Sequence, residues 1–357
     1  MVLLLASVIL GIVPMVVYAL VVWRLDRWER EPFSLLLAAF LWGAVPSILF
    51  ALVAQLLLGA VPTGAEGEEV SLMSELYDAS FIAPLTEELV KGFGVLLIFV
   101  LFRREIDSVL DGLIYGSMVG FGFAAVENIF YFAGQEDAGG LIVLFFLRAF
   151  LFGMLHALFT GLTGVGLALG RFSSNVLMKG LWPAIGLGAA MGTHALHNYF
   201  ATLGGGNLLL AILGIGCGLV WFAVTMGWCL YHENRWVRIQ LSEEVDQGVL
   251  YAEQALAAAN FWSRSPLCGL SQGIGKAWRR HRLLHEAAEL AYQKQKAIRH
   301  GADPGESARI AALRERVRVL SREDPLVVSG RVEAGKRMPP PLPPLRRIPP
   351  PLPPRRR

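Results

Sequence analysis

Seven long apolar blocks limit what this chain can become more than any other feature of its sequence. A spanning helix needs about 20 mostly apolar residues, and stretches of that kind lie at 2–23, 33–58, 80–102, 111–133, 141–169, 178–203 and 207–231. Inside lipid the backbone must satisfy its own hydrogen bonds, which leaves helices as the form for such segments. The expected fold is therefore all-α, a polytopic integral membrane protein with about seven transmembrane helices. Composition agrees: 54% of the 357 residues are hydrophobic and 17% charged, too apolar a balance for an ordinary soluble domain. Met1 to Trp23 has no basic lead and no small-residue cleavage site, so it reads as a retained anchor helix.

The connections between the blocks alternate in charge. Arg24, Arg27 and Arg30 follow the first, Arg103 and Arg104 the third, and Arg171 and Lys179 flank the fifth junction. The intervening loops hold Glu66, Glu68 and Glu69, then Gln135, Glu136 and Asp137, and carry no basic residue. Basic loops stay inside, so the expectation is a multi-pass plasma-membrane protein with its N-terminus outside and its C-terminus in the cytoplasm. Three parts are expected: a seven-helix membrane domain over 1–231, a helical cytoplasmic tail over 232–337, and a proline- and arginine-rich disordered end over 338–357. That end repeats PPPLPPLRR and PPPLPPRRR, a pattern suited to extended polyproline II. A tail-binding partner is possible but unspecified by these residues. The basic excess belongs to a membrane protein's tail and does not point to nucleic acid. Cys217, Cys229 and Cys268 have no metal-type spacing and suggest no disulfide framework.

Ionisable residues inside spanning segments cost about 2.5–3.5 kcal/mol each on insertion scales, so each is a functional candidate. The third segment carries Glu87, Glu88 and Lys91, the fourth Glu127, the fifth Arg148 and His156, and the sixth His194, His197 and Asn198. At about 1.5 Å per residue, Glu87, Glu88, Glu127 and His194 fall roughly 9–14 Å below the outer surface. One shared polar cavity in the outer half of the bilayer is expected. His194 and Asn198 stand at i and i+4 and share a helix face, as do Phe123 and Glu127. Glu87 and Glu88 point about 100° apart, so one aims at a cavity centre while the other accepts Lys91. Pro84 begins or kinks its helix. Carboxylates in such a cavity suit water activation, and neutral imidazoles suit zinc or oxyanion binding.

These residues, in order, resemble the PrsW family of intramembrane proteases and, more distantly, the CAAX prenyl endopeptidases of the ABI group. The shared pattern is a Glu pair with a following base (Glu87, Glu88, Lys91), Phe-x-x-x-Glu (Phe123, Glu127), an isolated His156, and His-x-x-x-Asn (His194, Asn198). The CAAX group usually has His where Glu127 stands, which favours PrsW. The resemblance covers roughly residues 80–200 and implies cleavage of a single-pass membrane substrate, often an anti-sigma factor; the outer-half placement of the cavity puts the expected cut near the outer membrane face. The resemblance also implies Glu87 or Glu88 as base, His156, His194 and Glu127 around a Zn2+ ion if one is bound, and Asn198 as histidine orienter or oxyanion donor. No HExxH occurs, and a metal-free glutamate mechanism uses the same residues. His197, Arg148 and Asp111 read as structural, the last as a helix cap, and His281 and His285 as solvent-facing. The rival readings are a proton- or cation-coupled transporter, which lacks the expected internal repeat here, and a non-catalytic scaffold recruiting partners through the proline tail.

Overall fold

In the computed structural model, the described residues are 2–25, 31–58, 71–203, 208–260, 263, 273–300 and 304–324. Among them every regular element is helical. The proline-rich end and the acidic loop of Glu66, Glu68 and Glu69 lie outside the described residues. Four helices are long and apolar enough to cross a membrane: Val2–Leu25, Phe33–Leu57, Val109–Ala133 and Ala138–Phe172.

The chain folds as two compact units, with the break near Gly227. The first holds α1 (Val2–Leu25), α2 (Phe33–Trp42), α3 (Ile48–Leu57), α4 (Leu72–Tyr77), α5 (Ala83–Leu101), α6 (Val109–Ala133), α7 (Ala138–Phe145), α8 (Leu155–Phe172) and α9 (Val176–Leu203). The helix α10 (Leu208–Asp246) begins in this unit and ends in the second.

Three of the expected spans are single helices joined through a wide π-helical turn: Gly43–Ser47 between α2 and α3, Asp78–Ile82 between α4 and α5, and Phe146–Leu151 after α7. Two of these turns have a visible cause. Proline lacks the N–H and its ring collides with the carbonyl four residues back. Pro46 lies within the first turn and Pro84 in the opening of α5, just after the second, and a wider turn relieves the collision. Nothing in the sequence accounts for the third.

The central strut is α6, which packs against α1, α2, α5 and α8 and is buried along most of its length. Its start is a capping box: Ser108 accepts from the Asp111 amide while Asp111 accepts from the Ser108 amide at 2.7 Å. Gly112, Gly116 and Gly120 form one face of α6, and a methyl group built on them would overlap the carbonyl oxygens of Gly164, Thr160 and His156 on α8. Small residues at this spacing let two backbones touch, which is how helices associate where lipid removes the hydrophobic driving force. Conversely, Leu5, Ile9, Val13 and Val17 of α1 are exposed while Ser7, Gly11 and Met15 are buried. This inverts the soluble pattern and suits an apolar surround.

The second unit follows the soluble pattern. It contains the end of α10, α11 (Ala252–Ala259), α12 (Ile274–His300) and α13 (Pro304–Arg322). Val237, Leu241, Leu283, Leu284, Leu313 and Val317 belong to its core, each large side chain contributing about 1.5–3 kcal/mol by leaving water. Within the expected helical tail over 232–337, α10 runs on to Asp246, and α11 is short.

Candidate active site

The site draws its polar side chains from α3, α5, α6, α8 and α9 and from the third π turn. One donor atom from each of Glu87, His156 and His194 lies within 4.8 Å of the other two. These three side chains come from α5, α8 and α9.

The two neighbouring glutamates are sorted by what faces them. Glu88 is fully buried: its Oε1 takes Lys91 Nζ at 2.5 Å and His194 Nδ1 at 3.0 Å, while its Oε2 accepts from Thr160 Oγ1 at 3.1 Å. With Nδ1 donating to Glu88, His194 is left with a bare Nε2, 4.0 Å from Glu87 Oε2. Glu87 lines a cavity of about 520 Å³ and accepts from Lys91 at 3.4 Å and from Gln55 Nε2 at 3.4 Å. So Glu87 points into the void, and Glu88 stands behind it holding a histidine.

His156 has a carboxylate of its own. Its Nε2 lies 2.8 Å from Glu127 Oε2, and its Nδ1 lies 3.4 Å from Lys91 Nζ. The first contact is close but off the ring's N–H direction, so Glu127 Oε2 is buried without an aligned hydrogen bond. The other oxygen of Glu127 pairs with Arg148 at 2.9 Å. Phe123, the aromatic of Phe-x-x-x-Glu, lies 4.0 Å beneath Lys91 and 5.5 Å from the His156 ring. Phe159 stacks on His194 at 4.7 Å. Rings thus fill the space around the charged groups and fix their rotamers.

Glu87, Glu127, Arg148, His156, His197 and Asn198 all line the cavity. His197 packs on Phe152 at 4.9 Å. Asn198 donates to the Ala79 carbonyl at 2.8 Å, inside the second π turn, and makes no hydrogen bond to a histidine among the described residues. Wide turns leave carbonyls open to such donors; Phe150 in the third turn likewise accepts from Tyr18 at 3.4 Å. Sequence reasoning passed over Gln55, although a lone amide in an apolar helix was the available signal. Arg148, read from the sequence as structural, pairs with Glu127, and the third π turn brings it onto the cavity wall. The triad contains Glu87, while Glu127, expected among the ligands, sits beside His156 and outside that set.

The donor set fits a metal ion. Two imidazoles and a carboxylate are a hydrolytic zinc set, and a tetrahedral site at ~2.1 Å per bond spaces its ligands ~3.4 Å apart. The 4.0 Å between His194 Nε2 and Glu87 Oε2 is within an ångström of that. A histidine nitrogen held by a carboxylate is the usual support for a ligating ring; His194 has Glu88 as that support, and His156 has Glu127 at 2.8 Å beside Nε2. Three carboxylates (Glu87, Glu88, Glu127) against two cations (Lys91, Arg148) also leave a surplus negative charge.

A family model described as PrsW family intramembrane metalloprotease matches residues 31–229. The chain belongs to the PrsW family. Among curated proteins, one named Protease PrsW from Geobacillus kaustophilus is 31% identical over 174 residues, covering 48% of this chain and 70% of the relative. Proteins of the same name from Oceanobacillus iheyensis and Bacillus subtilis are 33% identical over 138 residues and 38% identical over 91 residues. They are covered over 59% and 38% of their lengths, and 38% and 25% of this chain is matched. No solved structure matches. The PrsW match holds every side chain of the site and ends before α11.

Proposed function

We propose that this PrsW family member is an endopeptidase that hydrolyses a peptide bond of a single-pass membrane protein near the outer membrane face. The observation that carries this reading is the convergence of Glu87, His156 and His194 within 4.8 Å, beside a cavity wide enough for a chain segment. Family membership favours hydrolysis over the transporter and scaffold readings.

In this proposal Glu87, His156 and His194 would hold a zinc ion, which when bound polarises the scissile carbonyl and acidifies a water toward neutrality. Glu127, with Oε2 lacking an aligned hydrogen bond, takes the proton of the attacking water and returns it to the leaving amine. Glu88 keeps the His194 ring in the tautomer with Nδ1 protonated, and Lys91 neutralises the carboxylate that does so. Asn198 and Gln55 lie on the wall where a substrate backbone would seek partners.

We further propose that α5, α9 and α10 complete a seven-span arrangement in the plasma membrane, N-terminus outside and second unit cytoplasmic. The cavity is lined by Glu75 near the start of α4 and by Ala201 and Thr202 near the end of α9. Those ends adjoin the loops without basic residues, which supports an outward-facing site.

The test is cleavage of a single-pass substrate by the full chain in proteoliposomes, with metal content measured on the same preparation. Near-stoichiometric zinc and cleavage on the outer side, both lost in the His156→Ala, His194→Ala double variant, are expected. Cleavage without zinc would move the base to Glu87 and make the enzyme a glutamate-type hydrolase. No cleavage by the parent, or cleavage retained in the double variant, would sink the assignment.

A further inference from the structure

Arg148 reaches the site from outside the four motifs that contribute Glu87, Glu127, His156 and His194. Arg148 lies in the π turn Phe146–Leu151, before the helix that carries His156. Its guanidinium is held on three sides. One amino group pairs with Glu127 Oε1 at 2.9 Å, Nε donates to Asn128 Oδ1 at 3.2 Å, and the plane lies 3.5 Å over the Tyr131 ring. All three partners are on the last turns of α6. Arginine's planar fork is suited to hold a carboxylate and a second acceptor together, which a lysine point charge does not reproduce.

The contact passes onward. The Glu127 oxygen not taken by Arg148 is the one 2.8 Å from His156 Nε2. On the other side of the ring, Nδ1 faces Lys91 at 3.4 Å, and Lys91 is itself 3.4 Å from Glu87. His194 has the matching arrangement: its Nδ1 is held by Glu88, and Glu88 by Lys91 and Thr160. Each histidine is thus backed by a carboxylate, and each carboxylate by a cation. The partners favour opposite tautomers: Nδ1–H for His194, facing Glu88, and Nε2–H for His156, whose Nδ1 faces the Lys91 donor and whose Nε2 faces Glu127.

We propose that Arg148 is a positioning residue: by clamping Glu127 beside Nε2 it holds the His156 ring in the Nε2–H tautomer, with Nδ1 facing Lys91. This rests on the reading of His156 as a site histidine but not on any metal being bound. Arg148 touches neither ring directly; its effect runs through Glu127.

The experiment uses the full chain in detergent, with side-chain 15N NMR of His156 in metal-free protein and zinc affinity by chelator competition. The variants are Arg148→Met, Arg148→Lys and Glu127→Gln, singly and with Arg148→Met and Glu127→Gln combined. Parent protein is expected to show one His156 tautomer, and Arg148→Met a mixture, with zinc affinity lower by about 10–100-fold. Arg148→Lys is expected to fall between them. Because the effect runs through Glu127, adding Arg148→Met to Glu127→Gln should change neither readout further. An unchanged His156 tautomer in Arg148→Met, or additive effects in the double variant, would overturn the proposal. If Arg148→Met does not fold, the Arg148→Lys spectrum decides, since it too must show tautomer mixing. A parent that binds no zinc but shows the Arg148-dependent tautomer would fail the metal reading alone and leave the positioning role standing.

Discussion

Two fully buried glutamates, one in each unit, show how differently a chain can use a carboxylate. In the second unit Glu244 takes Lys294 at 2.7 Å and Arg314 at 2.8 and 2.9 Å, so both oxygens are occupied. Lys294 also donates to Glu243 and to the Gln240 carbonyl. That cluster closes on itself and ties α10, α12 and α13 together. In the first unit Glu88 is equally buried and equally well bonded, but its neighbours Glu87 and Glu127 bring surplus negative charge and border a cavity of about 520 Å³. Buried charge alone therefore does not make a site. What distinguishes the first cluster is that Glu87 and Glu127 face a void with coordination left over.

Substitutions can break this contrast. The largest effect is expected for Glu87→Gln, which keeps the side-chain volume but removes a ligand of the proposed zinc: cleavage in proteoliposomes should fall by more than about 10²-fold, beyond the loss typical of a supporting residue, with little change in thermal midpoint. Retained activity would place Glu87 with Glu244 as a structural acid. Glu88→Gln should cost less in rate, about 10–100-fold, because it loosens a histidine rather than removing a proposed metal ligand. Its thermal midpoint should drop further than that of Glu87→Gln, since fully buried Lys91 loses its 2.5 Å partner. The reverse ranking in rate would make Glu88 the reacting group. Asn198→Ala should lower the rate only several-fold, its amide being engaged by the Ala79 carbonyl. A drop of about 10²-fold or more would show that the amide turns to an oxyanion during the reaction.

At the small end, Glu244→Gln should leave cleavage unchanged while destabilising the second unit by about 3 kcal/mol, read as faster hydrogen exchange in α12 and α13 of the full chain. Burial alone would raise the Glu244 carboxyl, yet the hydrogen bonds from Arg314 and Lys294 outweigh it and hold the group below its ordinary range. A carboxyl lowered by folding adds stability above its unfolded pKa of about 4.3 and loses it as the pH falls toward the folded value. Exchange protection in α12 and α13 should therefore hold from neutral pH to about 5 and decline below about 4. A protection profile flat through pH 3 would show that Glu244 contributes no such linkage.

The helices of the first unit were legible because apolar runs of bilayer length have few alternatives. Counting residues inward along each segment put Glu87, Glu88, Glu127 and His194 at one level, whereas the overlong fifth segment left His156, the third member of the cluster, unplaced. The choice between Glu87 and Glu88 was not legible. The two differ by one rotation of about 100°, and the deciding groups, Thr160 and His194, come from α8 and α9. The π turns were hidden because a wide turn uses the same apolar residues as a regular one, although Pro46 and Pro84 marked two of them. The place of Arg148 on the cavity wall was hidden for the same reason: it follows from a turn that its neighbours do not announce. Gly112, Gly116 and Gly120 stood in plain view at four-residue spacing and could have paired α6 with α8.

That glycine face works as a stop between two rods. Gly120 meets the carbonyl of His156 itself, so the helix bearing Glu127 already rests against the backbone bearing its histidine. Hydrogen atoms are the thinnest spacer available, and the gap between the two side chains cannot be narrowed by substitution, only widened. Even alanine at Gly120 would push the helices apart and lengthen a 2.8 Å contact from far outside the chemistry. The reach of the site is thereby set by a residue that has no side chain to offer it.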